Sequence, residues 1–244
     1  LYRLLGARPK LADLLALILA HAGPLAEQLG RGATVLDGLI DESSFTSPPD
    51  APTLAERFLD VTRDEPFDIA LDRLRRMVGE RRFALGVQLL AAHRDPIVIA
   101  EGYSDLAEAT IVASTELVGR EFARTYGTVQ GGELVVLGLG RLGGRALTHA
   151  SDLDLIYLYD APQGAQSDGS KSLPATDYYN RLASRIGAAL GTPTAAGPLY
   201  DVDTRLRPQG AQGMLAVSLA GFEDYQRREA WTWEHMALCR ARPL

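Results

Sequence analysis

The sequence predicts an α+β protein: a small mixed sheet with helices packed on it, preceded by an all-helical region. Three observations carry this expectation. Apolar residues recur at helical spacing through residues 1–127. The character of the chain changes at Gly131-Gly132, where a β-branched apolar run begins. From there to the end, the chain reads strand, turn, strand, helix, strand, then helices. The expected organisation is therefore a helical region over 1–127 and a sheet-containing module over 128–244.

In the helical region, Leu11, Leu14, Leu15, Ile18 and Leu19 follow i, i+3, i+4, i+7, i+8 spacing, the stripe of an amphipathic helix. Arg3, Arg8 and Lys10 before this run and Ala20-His21-Ala22 after it imitate a signal peptide, but the stripe and Asp13 at its edge favour the plain helix. Gly23-Pro24 breaks the pattern; short segments over 25–29 and 35–41 come next, then a loop over 46–50. Phe67, Leu71, Leu74 and Val78 begin a second helical pattern that resumes through Leu85, Leu89 and Leu90 and stops at Asp95-Pro96. A long helix is expected over 98–126, burying Leu106, Ala109, Ala113 and Leu117. Arg75, Arg76, Arg81 and Arg82 are expected to form a solvated face. No stretch approaches the ~20 apolar residues of a membrane span.

In the second module, residues 133–138 read as a short buried strand and 154–160 as another, with a glycine-rich turn between them. A polar surface loop covers 161–174. Tyr179, Leu182, Ile186 and Ala189 mark a helix ended by Gly191 and Pro193. Residues 199–207 alternate apolar and polar, which predicts a half-buried strand. Pro208, Gly210 and Gly213 form a turn, and two helices over 219–228 and 230–242 finish the chain.

Composition narrows the chemistry. A formal charge of −6 over 244 residues argues against a general nucleic-acid binder. The single cysteine, Cys239, excludes an intramolecular disulfide framework and a Cys-rich zinc site, and suits a reducing cytoplasm. It reads as a small core residue of the last helix. The chain starts at Leu1 and is expected to be a piece of a longer protein.

The stretch over 138–159, GLGRLGGRALTHASDLDLIYLY, concentrates the functional signal. Asp152 and Asp154 flank one leucine ahead of an apolar strand, so both carboxylates face the same way, their Cα atoms about 7 Å apart. Such a pair suits a hard divalent cation such as Mg²⁺, and nearby glycines let backbone N–H groups approach a phosphate. With Asp203 turned to the same site, Asp201, Arg205 and Arg207 share its face on the 199–207 strand. Three carboxylates can hold two Mg²⁺ ions. Asp203 can also accept a hydroxyl proton, and Arg205 and Arg207 can neutralise a triphosphate.

Gly138-Leu139-Gly140-Arg141-Leu142-Gly143 also satisfies the dinucleotide fingerprint after a strand. Only residues 144–151 separate it from the next strand, too few for a crossover helix, and that reading leaves the aspartates without a role.

The pattern of Gly143-Gly144, Asp152-x-Asp154 and a distal Asp203 resembles the DNA polymerase beta-like nucleotidyltransferase superfold. More narrowly, residues 138–160, 199–235 and 237–242 resemble the glutamine synthetase adenylyltransferase/adenylyl-removing family, and the likeness covers most of 130–242. It extends more loosely to 81–96 and 103–111. The resemblance implies ATP as substrate, Mg²⁺ as cofactor and a tyrosine of glutamine synthetase as acceptor. It makes Asp152, Asp154 and Asp203 metal-binding and catalytic, and puts Gly143, Gly144 and Ser151 on the nucleotide phosphates. It implies a cytoplasmic enzyme of nitrogen metabolism, regulated by a PII protein, with no nucleic-acid or membrane partner. The segments VDTRLRPQGAQGML and EAWTWEHMALCRAR look more like the adenylylating half than the removing half. The alternatives are that removing half, acting by phosphorolysis, and a non-catalytic nucleotide-sensing domain. Arg205, Arg207, Glu234 and Arg240 match patterned positions of the family. Trp231 and Trp233 are expected to pack, and His149 and His235 to be structural or peripheral.

Overall fold

A computed structural model of the chain describes residues 8–31, 33–40, 43–194 and 197–244. Six helices come first: α1 (Pro9–His21), α2 (Gly23–Arg31), α3 (Ala33–Ile40), α4 (Ala51–Thr62), α5 (Phe67–Leu90) and α6 (Pro96–Tyr126). The chain writes their boundaries in local chemistry. The Asp50 carboxylate accepts from the Thr53 N–H at 3.1 Å to start α4. Asp95 accepts from the Ile97 N–H at 2.7 Å to start α6, with Pro96 in its first turn, where a missing N–H costs nothing. The α6 stripe of Leu106, Ala109, Ala113 and Leu117 is buried as its spacing demands. In α1, Leu11 and Ile18 are buried, but Leu19 lies open to solvent.

The sheet is built on β1 (Glu133–Gly138) and β2 (Leu153–Asp160), antiparallel from Glu133 opposite Asp160 to Gly138 opposite Leu155. The other edge of β2 takes two short parallel strands. β3 (Val202–Asp203) pairs with its start, β4 (Ala216–Ser218) with its end. β5 (Arg242–Pro243) lies antiparallel outside β1. Helix α7 (Gly140–Gly143) is the glycine turn, α8 (Ala175–Gly191) crosses between β2 and β3, and α9 (Leu219–Arg228) and α10 (Thr232–Leu238) complete the helices.

The period of two along β2 sorts its side chains between two cores. Leu153, Leu155, Tyr157 and Tyr159 join the large core that also holds Leu54, Phe58, Leu74, Leu106 and Phe122 of the helical region. Ile156 and Leu158 face the opposite side, with Leu139 and Phe222. One continuous core thus runs from α4–α6 into the sheet and α8.

Three expectations are corrected. The half-buried strand over 199–207 shrinks to Val202–Asp203, because the Asp203 carboxylate accepts from the Arg205 N–H at 2.8 Å and turns the chain. The last helix stops at Leu238 instead of 242, and β5 comes after it. Arg242 precedes a proline, which disfavours helical backbone there, and the Leu244 N–H donates to Val136 O at 3.0 Å. Arg75 and Arg82 do not belong to a solvated face. Arg75 is 6% exposed and donates to Ala189 O at 3.1 Å, while Arg82 donates to Leu199 O and lies 4.0 Å from the centroid of the Tyr200 ring. Both tie α5 to the sheet module.

The polar loop over 161–174 is held against the end of α6. Asp168 accepts from the Thr128 N–H at 2.7 Å, and Gly169 and Lys171 donate to Tyr126 O and Thr125 O. Among the described residues no single helix is long and apolar enough to cross a membrane; the bent pair Pro9–His21 and Gly23–Gly30 passes by length and composition together, across a 116° bend.

Candidate active site

The site forms where the first turn after β1 meets the start of β2. Leu139 N–H donates to Asp154 O at 2.9 Å, which draws the glycine turn over the aspartate. Gly140 has φ of +52°, and a Cβ there would stand 2.0 Å from Asp154 Oδ2. Only glycine lets that carboxylate lie so close to the turn. Gly143 is crowded from another side: a Cβ would stand 1.9 Å from Arg240 O. The glycine nearest the carboxylate is therefore Gly140, and Gly143 packs the turn against the segment after α10. The second glycine of the G-x-G run is the available signal for Gly140, absorbed by the rejected dinucleotide reading.

Helix α6 fixes the connector to β2. The Arg145 guanidinium donates to both Asp105 oxygens at 3.0 Å, and Leu147 N–H donates to Ser104 Oγ at 3.2 Å. The Tyr103 hydroxyl lies 3.3 Å from His149 Nδ1. Burial, then the nearby Arg82 charge, push His149 down to about 4, so it is neutral near pH 7. Ser151 Oγ accepts from Thr148 N–H at 3.0 Å and lies 2.9 Å from Thr148 Oγ1. It braces the turn that delivers Asp152.

Asp154 and Asp203 are register partners across the parallel β2–β3 pair. Burial first, then the charges of Asp152 and Asp203, raise the Asp154 carboxyl above its ordinary value, while Arg205 and Arg240 pull it back. The Asp203 carboxyl moves the other way. The Arg205 side chain donates to it through Nε at 2.9 Å and through Nη2, and its backbone N–H adds a further bond, so Asp203 is held below the usual range.

Three carboxylates and two guanidiniums thus act on one another at one edge of the sheet. Their hard oxygens suit a divalent cation; burial is the main cause of the upward shift of Asp154, and the repulsion from Asp152 and Asp203 that adds to it is what a cation would relieve. Among the described residues no group of three or more His, Cys, Asp or Glu side chains is gathered closely enough to hold a metal. Arg205 occupies the Asp203 oxygens instead.

The remaining expected residues fall elsewhere. Arg207 donates to Thr204 O at 2.9 Å, Thr204 Oγ1 at 2.7 Å, Ala211 O at 3.2 Å and Gly213 O at 3.2 Å, which staples the loop after β3. Asp201 is exposed and gives its carbonyl to the Leu153 N–H at 2.9 Å. Glu234 is buried and accepts from the Trp231 N–H at 2.8 Å and the Tyr225 hydroxyl at 3.0 Å, capping α10. Trp231 and Trp233, expected to pack, are 70% and 55% exposed, because α10 turns only its Glu234 side inward. Cys239 lies just beyond α10, exposed, not in a core. His235 Nε2 meets Gln226 O at 2.9 Å, a peripheral contact.

Comparison with known proteins gives the same direction as the motifs. A family model described as glutamate-ammonia ligase adenylyltransferase matches residues 12–244. The chain is similar to the bifunctional glutamine synthetase adenylyltransferase/adenylyl-removing enzyme of Mesorhizobium japonicum, at 45% identity over 100% of the chain and 25% of the relative. The proteins of that description from Brucella suis and Agrobacterium fabrum are each 44% identical, over 100% and 99% of the chain and 25% of the relative. The chain spans about a quarter of the length of these curated relatives. With a match of this extent and identity, the chain belongs to the glutamate-ammonia ligase adenylyltransferase family.

Proposed function

We propose that this chain carries the adenylylating catalytic module, which moves AMP from ATP to a tyrosine of glutamine synthetase and releases pyrophosphate. The observation that carries the reading is the pairing of Asp154 with Asp203, beside Asp152 and under the glycine turn. Asp152, Asp154 and Asp203 would hold Mg²⁺, two ions by the donor count. Held there, Mg²⁺ would supply charge neutralisation of the triphosphate and activation of the attacking oxygen.

The chain's own groups do the rest. Gly140 lies against the Asp154 carboxylate, and Gly143 and Gly144, on the side of the turn that faces Arg240, would leave room for the nucleotide phosphates there. Ser151 sits at the entry to β2, its hydroxyl within reach of a phosphate oxygen once it leaves Thr148. Arg205, exposed beside Asp203, and Arg240, which acts on Asp154 from the other flank, bind negative charge that grows on the leaving pyrophosphate. Arg207 serves this site indirectly by shaping the loop that presents Arg205. A module that acts on ATP and glutamine synthetase belongs in the cytoplasm, and PII control of the longer enzyme is part of the same reading. The excess of acidic residues speaks for a protein acceptor over a nucleic acid.

The test is incubation of the chain with ATP, Mg²⁺ and unmodified glutamine synthetase. A mass gain of one AMP on the acceptor supports the reading. No gain, together with AMP loss from pre-adenylylated glutamine synthetase in phosphate buffer, assigns the chain to the removing half instead.

A further inference from the structure

The helical region holds an open cavity of about 740 Å³ between α3, α4, α5 and α6, bordered by the segment over 44–49. It lies away from the aspartate cluster; no residue of the glycine turn or of β2 and β3 lines it. Its volume is in the range of sites that enclose small organic ligands. That segment is anchored. Gln88, 2% exposed, donates to Ser44 O at 2.7 Å and Thr46 O at 3.0 Å, and Pro48 rests on Gly102 of α6. The space is thus a built concavity, open to solvent on one side and bordered on another by a loop with its own buried hydrogen bonds.

Arg57 of α4 and Arg81 of α5 both line it. Neither has a hydrogen bond or ion pair among the described residues. The titratable groups on the cavity wall besides them are Asp37 and Glu80. Burial lowers Arg81, Arg57's charge lowers it further, and the opposing pull of Glu80 is smaller than either. Arg81, half-buried, and Arg57, exposed at the cavity's rim, face each other's charge with no carboxylate bonded to either, an arrangement that an oxyanion relieves. Leu54, Met77, Ala84 and Leu85 supply an apolar floor next to them.

We propose that this cavity binds a small organic oxyanion, its carboxylate or phosphate group seated between Arg57 and Arg81 and its aliphatic body against Leu54, Met77 and Leu85. Bidentate donation from each guanidinium would fix the charged end, and the apolar floor would select for a short hydrocarbon body. On α5 the neighbouring Arg82 faces the other way, onto Leu199 and Tyr200, so the two arginines serve opposite sides of one helix.

The intact chain is titrated by calorimetry with succinate and, separately, with inorganic phosphate, at fixed ionic strength and without nucleotide. The expected result is saturable one-site binding of at least one probe. Succinate alone identifies a carboxylate ligand, phosphate alone a phosphorylated one, and both the shared oxyanion chemistry. The double variant Arg57→Gln/Arg81→Gln weakens that binding at least about tenfold, while Arg76→Gln, on the exposed side of α5, leaves it unchanged. Should the double variant lack a cooperative thermal transition, Arg57→Lys and Arg81→Lys take its place; each keeps the charge, loses the planar fork and is expected to weaken binding. No saturable binding of either probe, or equal affinity with both arginines replaced, overturns the proposal.

Discussion

The two strands that bring the carboxylates together are built by different means. β2 spans Leu153–Asp160, is buried on both faces and pairs along both edges. β3 is two residues, half-buried, and is ended by the carboxylate it carries. Asp152 and Asp154 therefore stand at the entrance of a core strand, where packing holds the backbone. Asp203 stands on a turn, where its own hydrogen bonds to Arg205 and the Arg207 staple hold it. One half of the site is thus fixed by the hydrophobic core and the other by local polar contacts.

Replacements test that contrast. On the proposed function, Asp154→Asn is expected to cost the most activity, lowering adenylylation by roughly 10²- to 10³-fold in an acceptor-labelling assay, since that reading aims its charge at the reacting phosphates. The same variant melts at a higher temperature near pH 7. The folded Asp154 carboxyl is raised, so its ionised form is disfavoured at neutral pH. That cost disappears as pH falls through the raised value toward 3.8, and the melting difference between variant and parent shrinks with it.

Asp203→Asn has the opposite stability sign. The parent's stabilisation from this group is present above about 3.8 and is lost as pH falls through the depressed folded value. Its melting temperature at neutral pH drops, by an amount limited by the exposure of Arg205. A rise on replacement of Asp203, or a fall on replacement of Asp154, contradicts the assignment of the two environments.

Core truncation probes the packing side. Leu155→Ala in β2 is expected to cost about 2–5 kcal/mol in urea unfolding, as for a fully buried leucine. Val202→Ala in β3, half-buried, costs less, on the order of 1 kcal/mol. Equal losses mean that β3 is as well packed as β2.

Gly140→Ala comes next, at about 1–3 kcal/mol, because a side chain at φ +52° is strained and meets the Asp154 carboxylate. The least change in stability is expected for Arg205→Gln, so exposed a partner that the melting temperature hardly moves, while on the proposed function the KM for ATP rises. Arg207→Gln reverses that ranking, with stability affected more than nucleotide affinity, because its donors bond the loop.

Much of this is legible in residue order. The long α6 stripe, the α8 stripe and the alternation of β2 are periodic over many positions, so packing has one way to use them. The Asp pair and the glycine turn are contiguous, and Asp203 is legible as an acid on a later strand-like segment. The alternation over 199–207 misleads, because Arg205 and Arg207 sit on period-two positions but point to a turn and a staple. Arg75 and Arg82 mislead in the opposite direction. A charge run looks solvated in sequence, and only Ala189 O and Leu199 O, more than a hundred residues away, show where the guanidiniums go. Trp231, Trp233 and Cys239 have apolar character but lie on or beside a short helix that buries one side only.

Residue order alone specifies the helical-then-sheet architecture, the Asp152-x-Asp154 pair and the family likeness, because each is a local or periodic pattern that needs no partner to be read. The packed fold was needed to establish that Gly140, not Gly143, lies against Asp154, that Arg205 holds Asp203, and that α5 faces the sheet with two arginines and a cavity with another. These are contacts made by close packing and by where buried polar groups find partners, most of them across distant parts of the chain.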